Sequence, residues 1–199
     1  MASGYERNYH NMKRHLADCD FAARAAELGL AAPVDGVLRL EFLGRAYRID
    51  ASEVTPETDD GGGDAAFNAR TVLIWYLTHG GTGEPGYDFR AIRSFAHGLF
   101  DGDRGIAWSR GGDFGLTRER VEAAALRVGA RFLHEKNGAW SYLLYALPKI
   151  PALITFNEGD DEFPAAVSVK FGSNALNFLP FETLAVLHGL VMGEVRGQR

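Results

Sequence analysis

Apolar and polar positions along this chain follow two periods, and the switches between them mark out its elements. In YHNMKRHLADCDFAARAAELGL, from Tyr9 to Leu30, the apolar residues Met12, Leu16, Cys19, Ala23, Ala26 and Leu30 recur at steps of three and four. That spacing predicts an amphipathic helix, with Gly29 as its C-terminal stop and Pro33 just beyond. GVLRLEFLGRAYRID then alternates in twos on either side of Leu43-Gly44-Arg45, which predicts a β-hairpin. The next stretch, ASEVTPETDDGGGD, is acidic and rich in glycine. It is expected to be a surface loop and the most mobile part of the chain.

AAFNARTVLIWYLTHG is apolar nearly all round, as a buried helix should be. After a glycine-rich loop, YDFRAIRSF reads as a strand, while HGLFDGDRGIAWSRGGDFG has no single period. Thr117 caps an amphipathic helix, TRERVEAAALRVG, with Glu119 well placed in its first turn. ARFLHE and WSYLLYAL flank Lys136-Asn137-Gly138, and Asn-Gly is a strong hairpin signal. ALITFN and AAVSVKFG flank NEGDDEFP, residues 157–164, as a further hairpin. A last helix begins near Pro180, where proline suits the first turn, and sets Leu184, Leu187, His188 and Val191 on one stripe. Helices and antiparallel hairpins without a β-α-β rhythm predict a single α+β domain over residues 1–199. The expected architecture is a mainly antiparallel sheet built from hairpins, with about four helices packed on it.

Composition narrows the function classes. A chain of 199 residues buries enough surface to fold without a disulfide or a metal. Net charge is −5 with the signs mixed throughout, so there is no basic footprint for nucleic acid. Cys19 is the sole cysteine, so it can form no internal disulfide, and its place on the apolar face suits an inert thiol. The N-terminal stretch lacks a secretory apolar core, and no apolar run approaches the ~18 residues of a membrane span. The expectation is a soluble, cytoplasmic protein without a membrane partner.

The C-terminal third carries a more specific signature. Leu147-Pro148 with Pro151, an apolar strand, an acidic turn ending Glu162-Phe163-Pro164, a second strand, and Leu179-Pro180 with Glu182 follow one another in order. This pattern resembles an uncharacterised bacterial and archaeal family known as domain of unknown function 3786. Weaker echoes are Phe42-Leu43-Gly44, Tyr76-Leu77 and Leu126 to Gly129. The family commonly ends the second strand in Phe-Asp, where this chain has Phe171-Gly172, and often has His where this chain has Trp75. The resemblance implies a setting in anaerobic redox or one-carbon metabolism, as some relatives carry an iron–sulfur module. It implies no established activity.

Candidate chemistry is sparse. Gly81-Thr82-Gly83-Glu84-Pro85-Gly86 has the letters of a dinucleotide fingerprint but follows a helix, and Pro85 removes a donor; a helix stop and loop is the better reading. Asp101-Gly102-Asp103 opens like a calcium loop, yet Gly105 and Gly112 stand where further ligands are needed. No two histidines share a helical face at metal-binding spacing. His188 on its apolar stripe reads as a core or edge histidine. The remaining candidate is the acidic tip, where Asp161, Glu162 and Phe163, with His97, form the expected ligand or partner contact. Phe163 is expected to anchor the turn on the core, and Pro164 to fix where the second strand begins. The blander reading is a wet hairpin end, where exposed carboxylates cost little. The alternative is a metal-assisted enzyme with Asp161 and Glu162 joined by His97, Asp101 or Asp103. The sequence thus points to a binding or accessory module for a protein partner or a small molecule. It leaves catalysis, cofactor and oligomeric state unknown.

Overall fold

The structure is a computed structural model, which describes residues 2–96 and 115–197. Its central element is helix α3, Gly63–Thr78, the segment that is apolar nearly all round. Val72, Leu73, Ile74, Tyr76 and Leu77 are all fully buried. One face meets helix α1 (Gly4–Met12) and another meets helix α5 (Phe181–Arg196). A helix sandwiched in this way has no solvent side to make polar, which is why its sequence shows no amphipathic stripe.

The predicted first helix is broken in two. α1 runs into a tight 3-10 turn, Lys13–Asp18, and helix α2 (Phe21–Leu28) starts afresh. At the break Cys19 is extended, and the Asp20 carboxylate accepts the Ala22 and Ala23 N–H groups at 3.1 and 3.0 Å. An aspartate that can cap a new helix outcompetes continuation through it. The apolar period survives the break, so periodicity alone hides it. Gly29 ends α2 at φ 70°, the left-handed stop the sequence indicates.

Two antiparallel sheets flank these helices. Strands β1 (Leu38–Phe42) and β2 (Arg45–Ile49) form the first hairpin, turning at Leu43 and Gly44 with φ of 49° and 75°. The segment expected to be a mobile loop contributes a third strand, β3 (Val54–Pro56), paired to β2. It is held because the Tyr9 hydroxyl meets both the Val54 carbonyl and the Val54 N–H at 3.3 Å. The second sheet runs in the order β4 (Phe89–Ala91), β8 (Ala166–Gly172), β7 (Ile150–Asn157), β6 (Ala139–Leu147) and β5 (Arg131–Lys136). Its helix-facing rows include Tyr142, Leu144, Ile154, Phe156, Val169 and Phe171, all buried in the core shared with α3 and α5. Of the strand predicted in YDFRAIRSF only Phe89–Ala91 pairs; Ile92–Phe95 turns as a 3-10 segment. Helix α4 (Arg118–Arg127) is capped by Thr117 as expected, and Asn137-Gly138 turns β5 into β6. Pro180 is the cap of α5 rather than its first helical residue. The fold is α+β, with the hairpins divided between two sheets instead of joined in one. Among the described residues no helix is long and apolar enough to cross a membrane.

Two hairpin glycines separate strain from collision. A Cβ on Gly44 would stand 2.3 Å from the Arg127 carbonyl oxygen, whereas one on Gly138 would meet open space, and both residues have positive φ. Gly138→Ala should therefore cost about 1 kcal/mol from backbone strain alone. Gly44→Ala should cost at least about 2 kcal/mol more, because backbone must move. Equal urea midpoints for the two variants would contradict this.

His188 offers a pH test of the same core. Burial, with the charge of Arg196 second, lowers its pKa from 6.5 to about 4. As pH falls the unfolded chain takes up this proton first. Stability from this group is therefore level above 6.5, declines between 6.5 and 4, and is level again below. The full loss approaches about 3 kcal/mol. In denaturant titrations from neutral to acid, His188→Gln should lose stability less steeply than the parent chain; parallel curves would show that another group carries the effect.

Candidate functional site

The acidic tip is ordered by its own backbone. The Asp160 carboxylate accepts the N–H groups of Glu162 and Phe163 at 2.9 and 2.7 Å, and the Asp160 N–H donates to the Phe163 carbonyl at 2.8 Å. This is an Asx turn, a common use of aspartate where a chain reverses. Asp161 and Glu162 lie in solvent, and Phe163 is 68% exposed. The expectation that Phe163 anchors the turn on the core is overturned. Pairing of β7 with β8 ends at Asn157 and Ala166, so the acidic tip, with Phe163, lies beyond the paired strands. His97, Asp101 and Asp103 lie outside the described residues. Among the described residues no group of three or more His, Cys, Asp or Glu comes together as a metal site.

The Gly81–Gly86 run is packed against the rest of the fold at its two ends, Gly81 and Gly86. Arg24 donates to the carbonyls of Leu77 (2.9 Å), Tyr76 (3.2 Å) and Gly81 (3.1 Å), closing the C-terminal end of α3. Asn174 accepts the Gly86 N–H at 2.8 Å and donates to the Glu84 carbonyl. A Cβ on Gly172 would lie 2.1 Å from the Gly86 carbonyl oxygen, which explains the glycine that ends β8. Cys19 is half-buried; burial pushes its thiol pKa up, and Sγ rests 3.8 Å from the Leu77 carbonyl. These groups complete a helix end rather than expose a reactive one.

The opposite end of α3 is open. A cavity of about 610 Å³ lies between the β1–β2 hairpin, residues 59–62, the first turns of α3 and the C-terminal half of α5. Small residues make room for it: Ala65, Ala66 and Ala69 on α3, and Gly189 and Gly193 one turn apart on α5. Phe42, Leu43, Val186 and Leu190 supply apolar wall, and Tyr5, half-exposed, lines the cavity from α1.

Three of its charged groups, Arg45, Asp60 and Glu194, are held in ion pairs. Arg45 Nη1 meets Glu194 Oε1 at 2.9 Å, and Arg127 reaches the other carboxylate oxygen at 3.4 Å. Asp60, its side chain only 5% exposed, accepts from Arg70 Nε and Nη2 at 3.0 and 2.7 Å. Gly61, Gly62 and Gly63 make this approach possible, since all three have φ between 62° and 77°. Only glycine adopts three such conformations in a row without strain. The glycine run therefore folds Asp60 back onto α3.

Tyr47 is the central polar group of the cavity. It is 1% exposed, it lines the cavity, and its hydroxyl makes no hydrogen bond with any described residue. Burial raises its pKa, as does the Asp60 charge, while Arg45 and Arg70 pull the other way. The hydroxyl therefore stays protonated, able to donate and to accept. Sequence reasoning missed Tyr47, Arg45, Asp60 and Glu194. The available signal was Asp59-Asp60-Gly61-Gly62-Gly63-Asp64 directly before an apolar helix, which reads by composition as a mobile loop.

The two acidic stretches should respond oppositely to truncation. Asp60→Ala strands the Arg70 guanidinium and should cost about 3 kcal/mol. Asp161→Ala should leave the unfolding midpoint unchanged, as expected for a solvated side chain. Chemical denaturation of both variants checks the contrast, and a harmless Asp60→Ala would refute the structural role given to its ion pair.

No curated protein and no solved structure matches the chain. One family's sequence profile does, over residues 20–107 and 111–194, a span that takes in every cavity-lining residue except Tyr5. The chain belongs to that family, described as a domain of unknown function (DUF3786).

Proposed function

We propose that this protein is a binding domain for a small organic molecule, held in the cavity between the β1–β2 hairpin, α3 and α5. The observation that carries this reading is the cavity itself, about 610 Å³ walled by apolar and small side chains, with the buried Tyr47 beside Arg45, Asp60 and Glu194. The volume agrees, since pockets for small molecules span about 300–1,000 Å³. So does the lining, which is mostly apolar with a few fixed polar groups. The cytoplasm is the compartment we assign, on the sequence features already given.

A fragment screen read by amide chemical shifts tests the proposal. Hits should converge on the amides of Gly62, Ala66, Gly189 and Gly193. Ala65→Phe, which places a ring in the cavity from a surface-exposed position, should weaken those hits at least about tenfold, a difference of 1.4 kcal/mol. Shifts that scatter over the surface, or survive Ala65→Phe, would overturn it.

A further inference from the structure

The charges around the cavity select among ligands. The lining contains one guanidinium, Arg45, against the carboxylates of Asp59, Asp60, Asp64 and Glu194. Arg45 and Arg127 are committed to Glu194, and Arg70 to Asp60. Asp59 and Asp64 are both exposed, and neither pairs with a Lys, Arg or His among the described residues. The start of α3 would ordinarily favour an anion, because its first N–H groups point outward. Here carboxylates crowd that end. Asp59 accepts the Gly61 N–H at 2.9 Å, Asp60 accepts the Gly62 N–H at 3.2 Å, and Asp64 stands in the first turn. An added anion would face these carboxylates with no free guanidinium to bind it.

Resting on the ligand-binding reading above, we infer that the cavity takes an organic cation, an amine or a protonated nitrogen heterocycle carried on an apolar ring. Its ring sits against Phe42, Leu43 and the small residues of α3 and α5. Its polar edge meets the Tyr47 hydroxyl, and its charge faces Asp59 and Asp64.

Three indoles of matched size test this by amide-detected titration: tryptamine, 3-methylindole and indole-3-propionate, each to about 10 mM. Tryptamine should bind about tenfold tighter than indole-3-propionate, with 3-methylindole between, and its advantage should shrink with added salt. Asp59→Asn/Asp64→Asn, which retains a side-chain acceptor at both surface positions, should remove most of that advantage and leave 3-methylindole unchanged. Binding of indole-3-propionate as tight as tryptamine, an unaltered tryptamine preference in the double variant, or no response to tryptamine would overturn the inference. Response of the same amides to 3-methylindole or the acid alone leaves the cavity a ligand site and refutes only its preference for cations.

Discussion

The whole structure depends on burying a helix whose two ends remain polar. α3 is buried from its second turn onward, so the carbonyl groups at its C-terminal end must find partners inside the fold. At the C-terminal end Arg24 reaches across from α2 and occupies three carbonyl groups with one guanidinium. A neutral side chain could not span those acceptors, and a lysine would meet them with a single charge point instead of a planar fork. The break between α1 and α2 follows from the same need. By restarting the helix at Asp20, the chain changes direction and brings Arg24 under the end of α3.

The other end of α3 is met differently, and the cavity results. No side chain caps this end; a loop folds back beside it, with Asp60 clasping Arg70 and the glycines carrying the reversal. Arg70 in turn lies over the rings of Tyr9 and Phe67, so the clasp is braced from α1. A loop stabilised by its own ion pair need not press against α5. The alanines of α3 and the glycines of α5 leave the space beside it open, and Tyr47 closes the hairpin side. Stability at the helix start and room for a ligand thus have a common origin.

The sequence made much of this architecture legible, for identifiable reasons. Gly29, Leu43-Gly44 and Asn137-Gly138 sit where their φ values are positive, and such turns are specified by neighbours in sequence. The uninterrupted apolar run of α3 announced its burial. Legibility failed where a residue's partner is distant. Nothing near Asp20 indicates that the helix must restart there, and nothing near Val54 indicates that Tyr9 will hold it in a sheet. The tip 158–165 failed in the opposite sense. Phe163 has the composition of an anchor, but it lies beyond the last paired residues of the strands and is left largely exposed.

The sequence by itself determined the class of fold, the hairpins, the helix stops and the family to which the chain belongs, because each is written in residues close together along the chain. It also identified the acidic tip as a conspicuous stretch, which the fold leaves in water. Only the tertiary structure decided that the Asp-Asp-Gly-Gly-Gly-Asp stretch is a clasp instead of a free loop. It alone placed Tyr47 of a hairpin, Asp60 of a loop and Glu194 of the last helix around one cavity. The physical reason is separation: Arg45 and Glu194 are 149 residues apart, and their 2.9 Å contact exists only once the first hairpin and α5 have been brought together.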